Sequence, residues 1–164
     1  MRWMMALLVG LCCEANGQPH SFKNLTLGMS QAQANADRRF NCMPATSALG
    51  DVQCLLKHTE RETVAGRPVR VLSLFFYDDE LYTISLTISD NDVNATVEAL
   101  EERYGRWTKG PSNAFTWLGS ESRIDLIPHG SNHALAALHF RRNGFLDKFE
   151  DRKKRRAQGA SKDL

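Results

Sequence analysis

A chain of 164 residues, 42% hydrophobic and 24% charged, has the size and composition of one globular domain with a real core. The net charge of +2 is unevenly spread: residues 145–164 carry seven Lys/Arg against four acids, net +3, and the remainder sums to −1. The body is therefore near neutral, the basic character belongs to a tail, and no stretch is apolar for long enough to span a bilayer as a helix.

Arg2 followed by the apolar run Met4 to Cys13 reads as a signal peptide, with Ala15 and Gly17 as the small residues a signal peptidase reads. The expected organisation is a leader at 1–17, a single domain at 18–143 and a basic tail at 144–164. Leu11 and Cys12 stand where a lipobox needs a small residue, so lipid anchoring at Cys12 or Cys13 is not expected. Removing the leader leaves Cys42 and Cys54, an even number in an oxidising compartment, and a disulfide between them is expected. A metal pair would need more neighbouring ligands than the lone His58.

Phe22 to Leu27 is a short strand or an extended lead-in. Ser30 and Gln33 fit a capping box, and Gln31 to Arg39 behind them predicts a helix. Phe40–Met43 and Val52–Lys57 read as strands flanking the cysteine loop. Val69 to Ile88 then alternates with period two and predicts a hairpin at the centre of an antiparallel sheet. Setting Phe76 opposite Tyr82 aligns Leu74 with Ile84 and Leu72 with Leu86, and leaves a three-residue loop at 78–80.

Ser89 to Asp92 clusters N-cap candidates, and Val93, Val97, Leu100 and Tyr104 recur at helical spacing up to the stop at Gly105. Strands follow at 114–118, 123–127 and 134–140. The class is α+β: an antiparallel sheet with two helices on one face, in the order helix–strands–helix–strands, suggesting two related halves. Past Asn143-Gly144 the pattern breaks, and the tail reads as helix or disorder. A chain ended after Arg142 is expected to lose no core residue.

Chemistry is sparse. His129 and His133 sit in a turn rather than on one helix face, Asp78-Asp79-Glu80 lacks the spaced ligands of a calcium loop, and no nucleophile or phosphate-loop motif occurs. No catalytic residue, metal or cofactor is expected. Trp117 and Phe115 read as strand core, whereas Trp107 follows the helix stop in a loop, where an aromatic can meet a partner. Arg152, Lys153, Lys154, Arg155 and Arg156 suit an anionic membrane surface in an exported chain rather than nucleic acid.

The stretch Leu27-Gly28-Met29-Ser30-Gln31-Ala32-Gln33 resembles the start of small outer-membrane assembly lipoproteins of the SmpA/OmlA (BamE) type, whose α+β fold is shared with the β-lactamase inhibitor protein. Cys42 with Cys54, Thr63–Gly66, Phe76–Leu81, Leu100–Gly105 and Trp117 are similar to segments of small periplasmic bacterial proteins without assigned activity. The resemblance implies the α+β fold and a periplasmic or secreted location; with no catalytic motif in the sequence, the expected function is a non-enzymatic binding or scaffold module of the cell envelope, whose partner is a protein or envelope component. The alternatives are a protein inhibitor of an enzyme and a hydrolase with an unrecognised site.

Overall fold

The computed structural model describes residues 20–129 and 134–160; the leader expected at 1–17 and His133 lie outside them. Among the described residues the fold is mixed α+β, with every strand pair antiparallel and three α-helices. A small hairpin, β1 (Ser21–Phe22) and β2 (Leu25–Thr26), leads into α1 (Gln31–Ala36). The capping box forms as the sequence predicts: Ser30 Oγ accepts from the Gln33 N–H, and Gln33 Oε1 accepts from the Ser30 N–H. The helix ends three residues earlier than expected. Asp37 caps it in extended conformation and its carboxylate captures Arg39, a local bond that competes with further helix.

The main sheet comprises β3 (Phe40–Pro44), β4 (Val52–Leu56), β7 (Val71–Tyr77), β8 (Glu80–Ser89), β9 (Thr108–Lys109), β10 (Phe115–Leu118), β11 (Ser122–Pro128) and β12 (Leu135–Arg142). Between its strands lie a minor hairpin, β5 (Thr63–Val64) with β6 (Arg67–Pro68), and the helix α2 (Val93–Tyr104). The order across the sheet is β3-β4-β7-β8-β12-β11-β10-β9. The 12-residue α2 stops at Gly105, whose φ of 81° suits a residue without a Cβ. The Ser89–Asp92 cluster supplies no side-chain cap; Asp90–Asp92 forms a single 3-10 turn instead.

The hairpin at the sheet centre keeps Leu72 opposite Leu86 and Leu74 opposite Ile84, as the alternation requires. Its end differs from the expected three-residue loop. Phe76 pairs with Leu81 and Tyr77 with Glu80, leaving a two-residue turn at Asp78-Asp79. Both turn residues have positive φ, 50° and 66°, as a turn matching the sheet twist demands. A bulge between Phe75 and Phe76 absorbs the odd residue, Tyr82. The inner faces stay in phase and only the tip shifts.

Alternation gives the sheet two unlike faces. One cross-strand row of the inner face runs Cys42, Cys54, Leu74, Ile84, Phe140, Ile124, Trp117. Ala34 of α1 and Val93 and Leu100 of α2 join these residues in the core. Trp117 is 1% exposed and its indole N–H donates to the Gly105 carbonyl at 2.8 Å, which ties the end of α2 to the sheet. Cys42 and Cys54 face each other across β3 and β4 and form a disulfide, pinning edge strand β3 to its neighbour.

The chain beyond Asn143-Gly144 forms a third helix, α3 (Phe145–Ala160), on the opposite face. Phe145 is only 7% exposed, with the Arg141 guanidinium 5.2 Å from its ring centre. Ending the chain after Arg142 would thus remove a buried side chain, contrary to the expectation from sequence. Among the described residues no helix is long and apolar enough to cross a membrane.

Candidate functional site

The outer face carries the unusual chemistry. One cross-strand row reads Ser73, Ser85, His139, Asp125, Thr116, so a serine, a histidine and an aspartate lie on adjacent strands in direct register. Residue types alone would suggest a nucleophile, base and orienting acid. The bonding does not follow. Asp125, 2% exposed, accepts from Thr116 Oγ1 at 2.9 Å and pairs with Arg123 and Arg141, while His139 Nδ1 is buried without a hydrogen-bond partner. Burial, with Arg141 adding to it, pushes the His139 imidazole down to about 4, so the ring is neutral at pH 7.

A second serine–histidine contact joins the start of the described chain to the sheet. Ser122 Oγ lies 2.9 Å from His20 Nδ1 and accepts from the His20 backbone N–H at 2.8 Å. The Tyr104 ring packs edge-on against His20, with centroids 4.9 Å apart. Ser122 is 1% exposed, which closes its hydroxyl to any substrate. Burial lowers the His20 pKa, and the pair acts as a polar staple across 102 positions of sequence.

Two further clusters join charges that are remote in sequence. Glu62 is buried between Lys23 and Arg39. Burial alone would raise its carboxyl, but hydrogen bonds from both cations outweigh that and hold it below the usual range. On the outer face, Arg123 and Arg141 stand directly opposite each other on β11 and β12. Both reach the same oxygen of Asp125, Oδ2, at 2.8 and 3.2 Å.

The basic run expected to be one block divides on α3. Arg152 turns inward to Asp51, and Lys148 pairs with Asp78 at 2.5 Å. Lys153, Lys154, Arg155 and Arg156 remain exposed, with Arg155 only 3.7 Å from Asp151 one turn earlier. One of these acids, Asp78, comes from the central hairpin tip, the sequence feature that resembled an incomplete cation loop, and the other, Asp51, immediately precedes β4. Such exposed pairs are individually weak. Phe145 and Phe149 stack on each other along α3 with centroids 6.0 Å apart, and Phe145 is buried.

Trp107 is 38% exposed and meets Phe115 edge-on at 4.6 Å, at the sheet end opposite β3. Leu118, 71% exposed, lies on the outer face near that end, and Val71 and Leu135 are further exposed apolar side chains of the same face. No group of three or more His, Cys, Asp or Glu among the described residues could hold a metal ion. Sequence reading missed His20, Glu62, Asp125 and His139. For Asp125 a signal existed, since a lone aspartate between Ile124 and Leu126 in a strand needs partners. Compared with protein-family models, curated proteins and solved structures, the chain matches none.

Proposed function

We propose that this chain is a non-enzymatic binding module of the bacterial cell envelope, exported by its N-terminal leader and attached to anionic surfaces through α3. The observation that carries the reading is the division of cations on that helix. Lys148 and Arg152 dock it to the body, while Lys153, Lys154, Arg155 and Arg156 stay exposed, spread around the next turn of the helix as a cationic ridge. A docked helix holds its charges together without the entropy cost of ordering a loose tail. Each Lys or Arg near an anionic membrane contributes about 1 kcal/mol, screened over about 10 Å at 0.1 M salt. Asp147, Glu150 and Asp151 on the same helix offset part of it.

The test is co-sedimentation of the full chain with phosphatidylglycerol vesicles. Binding should fall with added salt, and Lys153→Gln/Lys154→Gln/Arg156→Gln should weaken it roughly tenfold or more at low salt. Equal binding by the triple variant overturns the reading. A second reading, a protein inhibitor, draws on the exposed Trp107 and Leu118. It requires Trp107→Ala to weaken a protein complex while leaving vesicle binding unchanged; a complex indifferent to that change rules out this surface.

The sheet order also supports descent from a duplicated unit. A helix followed by β3, β4, β7 and β8 meets a helix followed by β9 to β12, and the last strands of the two units pair at the centre. Rotating residues 31–89 onto 93–142 about an axis between β8 and β12 should superpose both helices and all four strands. Mismatched strand order after that rotation would end the idea.

A further inference from the structure

We infer that the cavity between Arg123, Arg141 and the start of α3 is a binding site for a small phosphate-bearing anion. The cavity measures about 310 Å³ and is lined by both arginines, Arg142, Gly144, Phe145 and Asp147, among others. It lies at the opposite end of α3 from the cationic ridge and does not depend on the vesicle reading.

The argument begins with charge matching. Like charges directly opposite on neighbouring strands destabilise a sheet, yet Arg123 and Arg141 are such a pair. One buried carboxylate serves both. Asp125 Oδ2 takes the two guanidiniums, and its Oδ1 is occupied by Thr116 Oγ1. Two cations therefore share one buried anion, and the only other carboxylate on the cavity is the exposed Asp147. Arg142, the third arginine, is already balanced by Glu80 at 2.5 Å.

Donors are in excess too. Arg141 is mostly buried, and its Nη1 bond to Asp125 is the one hydrogen bond its side chain makes among the described residues. Its Nε is out of contact with solvent and has no partner. A buried unsatisfied N–H on a charged group is costly, and a native structure rarely leaves one without a role. Burial lowers the Arg141 pKa; Asp125 opposes the shift and Arg123 adds to it.

The wall facing the arginines has the same preference. The first turn of the 16-residue α3 adds N–H groups without intrahelical acceptors, beside two guanidiniums that favour bidentate oxygen acceptors. The one opposing group is Asp147, an exposed carboxylate on the cavity rim. Phosphate offers several oxygens on one centre and can meet both guanidiniums at once. The phosphate could be free or part of a lipid headgroup, and the experiment separates the two.

The full chain, labelled with ¹⁵N, is titrated with inorganic phosphate at constant ionic strength, following the Phe145 and Leu146 amides and the Arg123 Nε–H. Saturable shifts are expected. Arg123→Gln should weaken binding roughly tenfold or more, and Asp147→Asn should tighten it. Arg123 is chosen because it is less buried than Arg141, so the fold tolerates its loss better. The triple ridge variant Lys153→Gln/Lys154→Gln/Arg156→Gln should bind phosphate as the parent does, even if vesicle binding is lost. The same shifts on adding phosphatidylglycerol vesicles to the ridge variant assign the site to a lipid phosphate, and their absence assigns it to free phosphate. Shifts that fail to saturate, or equal affinity in the parent, Arg123→Gln and Asp147→Asn, overturn the proposal.

Discussion

Acid should destabilise this protein well above the pH at which its carboxylates protonate, and His139 should be the main cause. The ring lies in the outer-face row between Ser85 and Asp125. Burial pushes its pKa down from 6.5 to about 4, and Arg141 contributes. Asp125 pulls the other way, while His129 and Arg123 add smaller opposition to a proton. A base with a depressed folded pKa binds its proton first in the unfolded chain. The unfolded state therefore holds more protons between pH 6.5 and 4, and stability falls as pH drops through that window. At 1.36 kcal/mol per pKa unit, the full shift corresponds to about 3 kcal/mol lost by pH 4, with nothing lost above pH 7.5. That is a large part of the 5–15 kcal/mol typical of a domain (roughly). His20, also lowered by burial, acts in the same direction. The carboxylates held low by cations, Glu62 and Asp37, lose their contribution only further down, as pH falls through their folded pKa values. The assay is urea unfolding of the full chain and of His139→Gln at intervals from pH 7.5 to 4.5. The parent should lose stability steadily below pH 6.5 and the variant should lose distinctly less. Parallel curves for the two proteins would refute a neutral His139 with a depressed pKa.

Two further outcomes follow from packing. Phe145→Ala should cost about 3 kcal/mol, the low end for a buried phenylalanine, and hydrogen exchange should then show faster opening of residues 145–158; unchanged protection there would mean that α3 is not held by this ring. Cys42→Ser should cost roughly 2–3 kcal/mol on the loop-entropy estimate, with fraying confined to edge strand β3, because Cys54 sits in the core and β4 also pairs with β7. Calorimetry on oxidised and reduced parent protein checks the magnitude, and identical transitions would exclude a structural role for the bridge.

Local periodicity was enough to determine much of the scaffold. Strict alternation from Leu72 to Ile88 placed Leu74 against Ile84, because one slipped residue would turn every apolar side chain to the wrong face. Ser30 with Gln33, and Val93 to Tyr104 with Gly105, were legible because capping and helical packing act within a turn or two of chain. Cys42 and Cys54 needed only their number and spacing. Tertiary structure decided the rest. The two-residue turn and the bulge at the hairpin tip did not follow from alternation, and that tip is bonded to the entry of α1, where Gln31 N–H reaches the Asp79 carbonyl and Leu81 N–H the Met29 carbonyl. The tail became a docked helix because Asp51 and Asp78, remote in sequence, face Arg152 and Lys148. The arginine pair at Arg123 and Arg141 exists only because β11 and β12 are neighbours in that register. A charge's partner is set by which strands lie side by side, and no periodicity in a single strand carries that information.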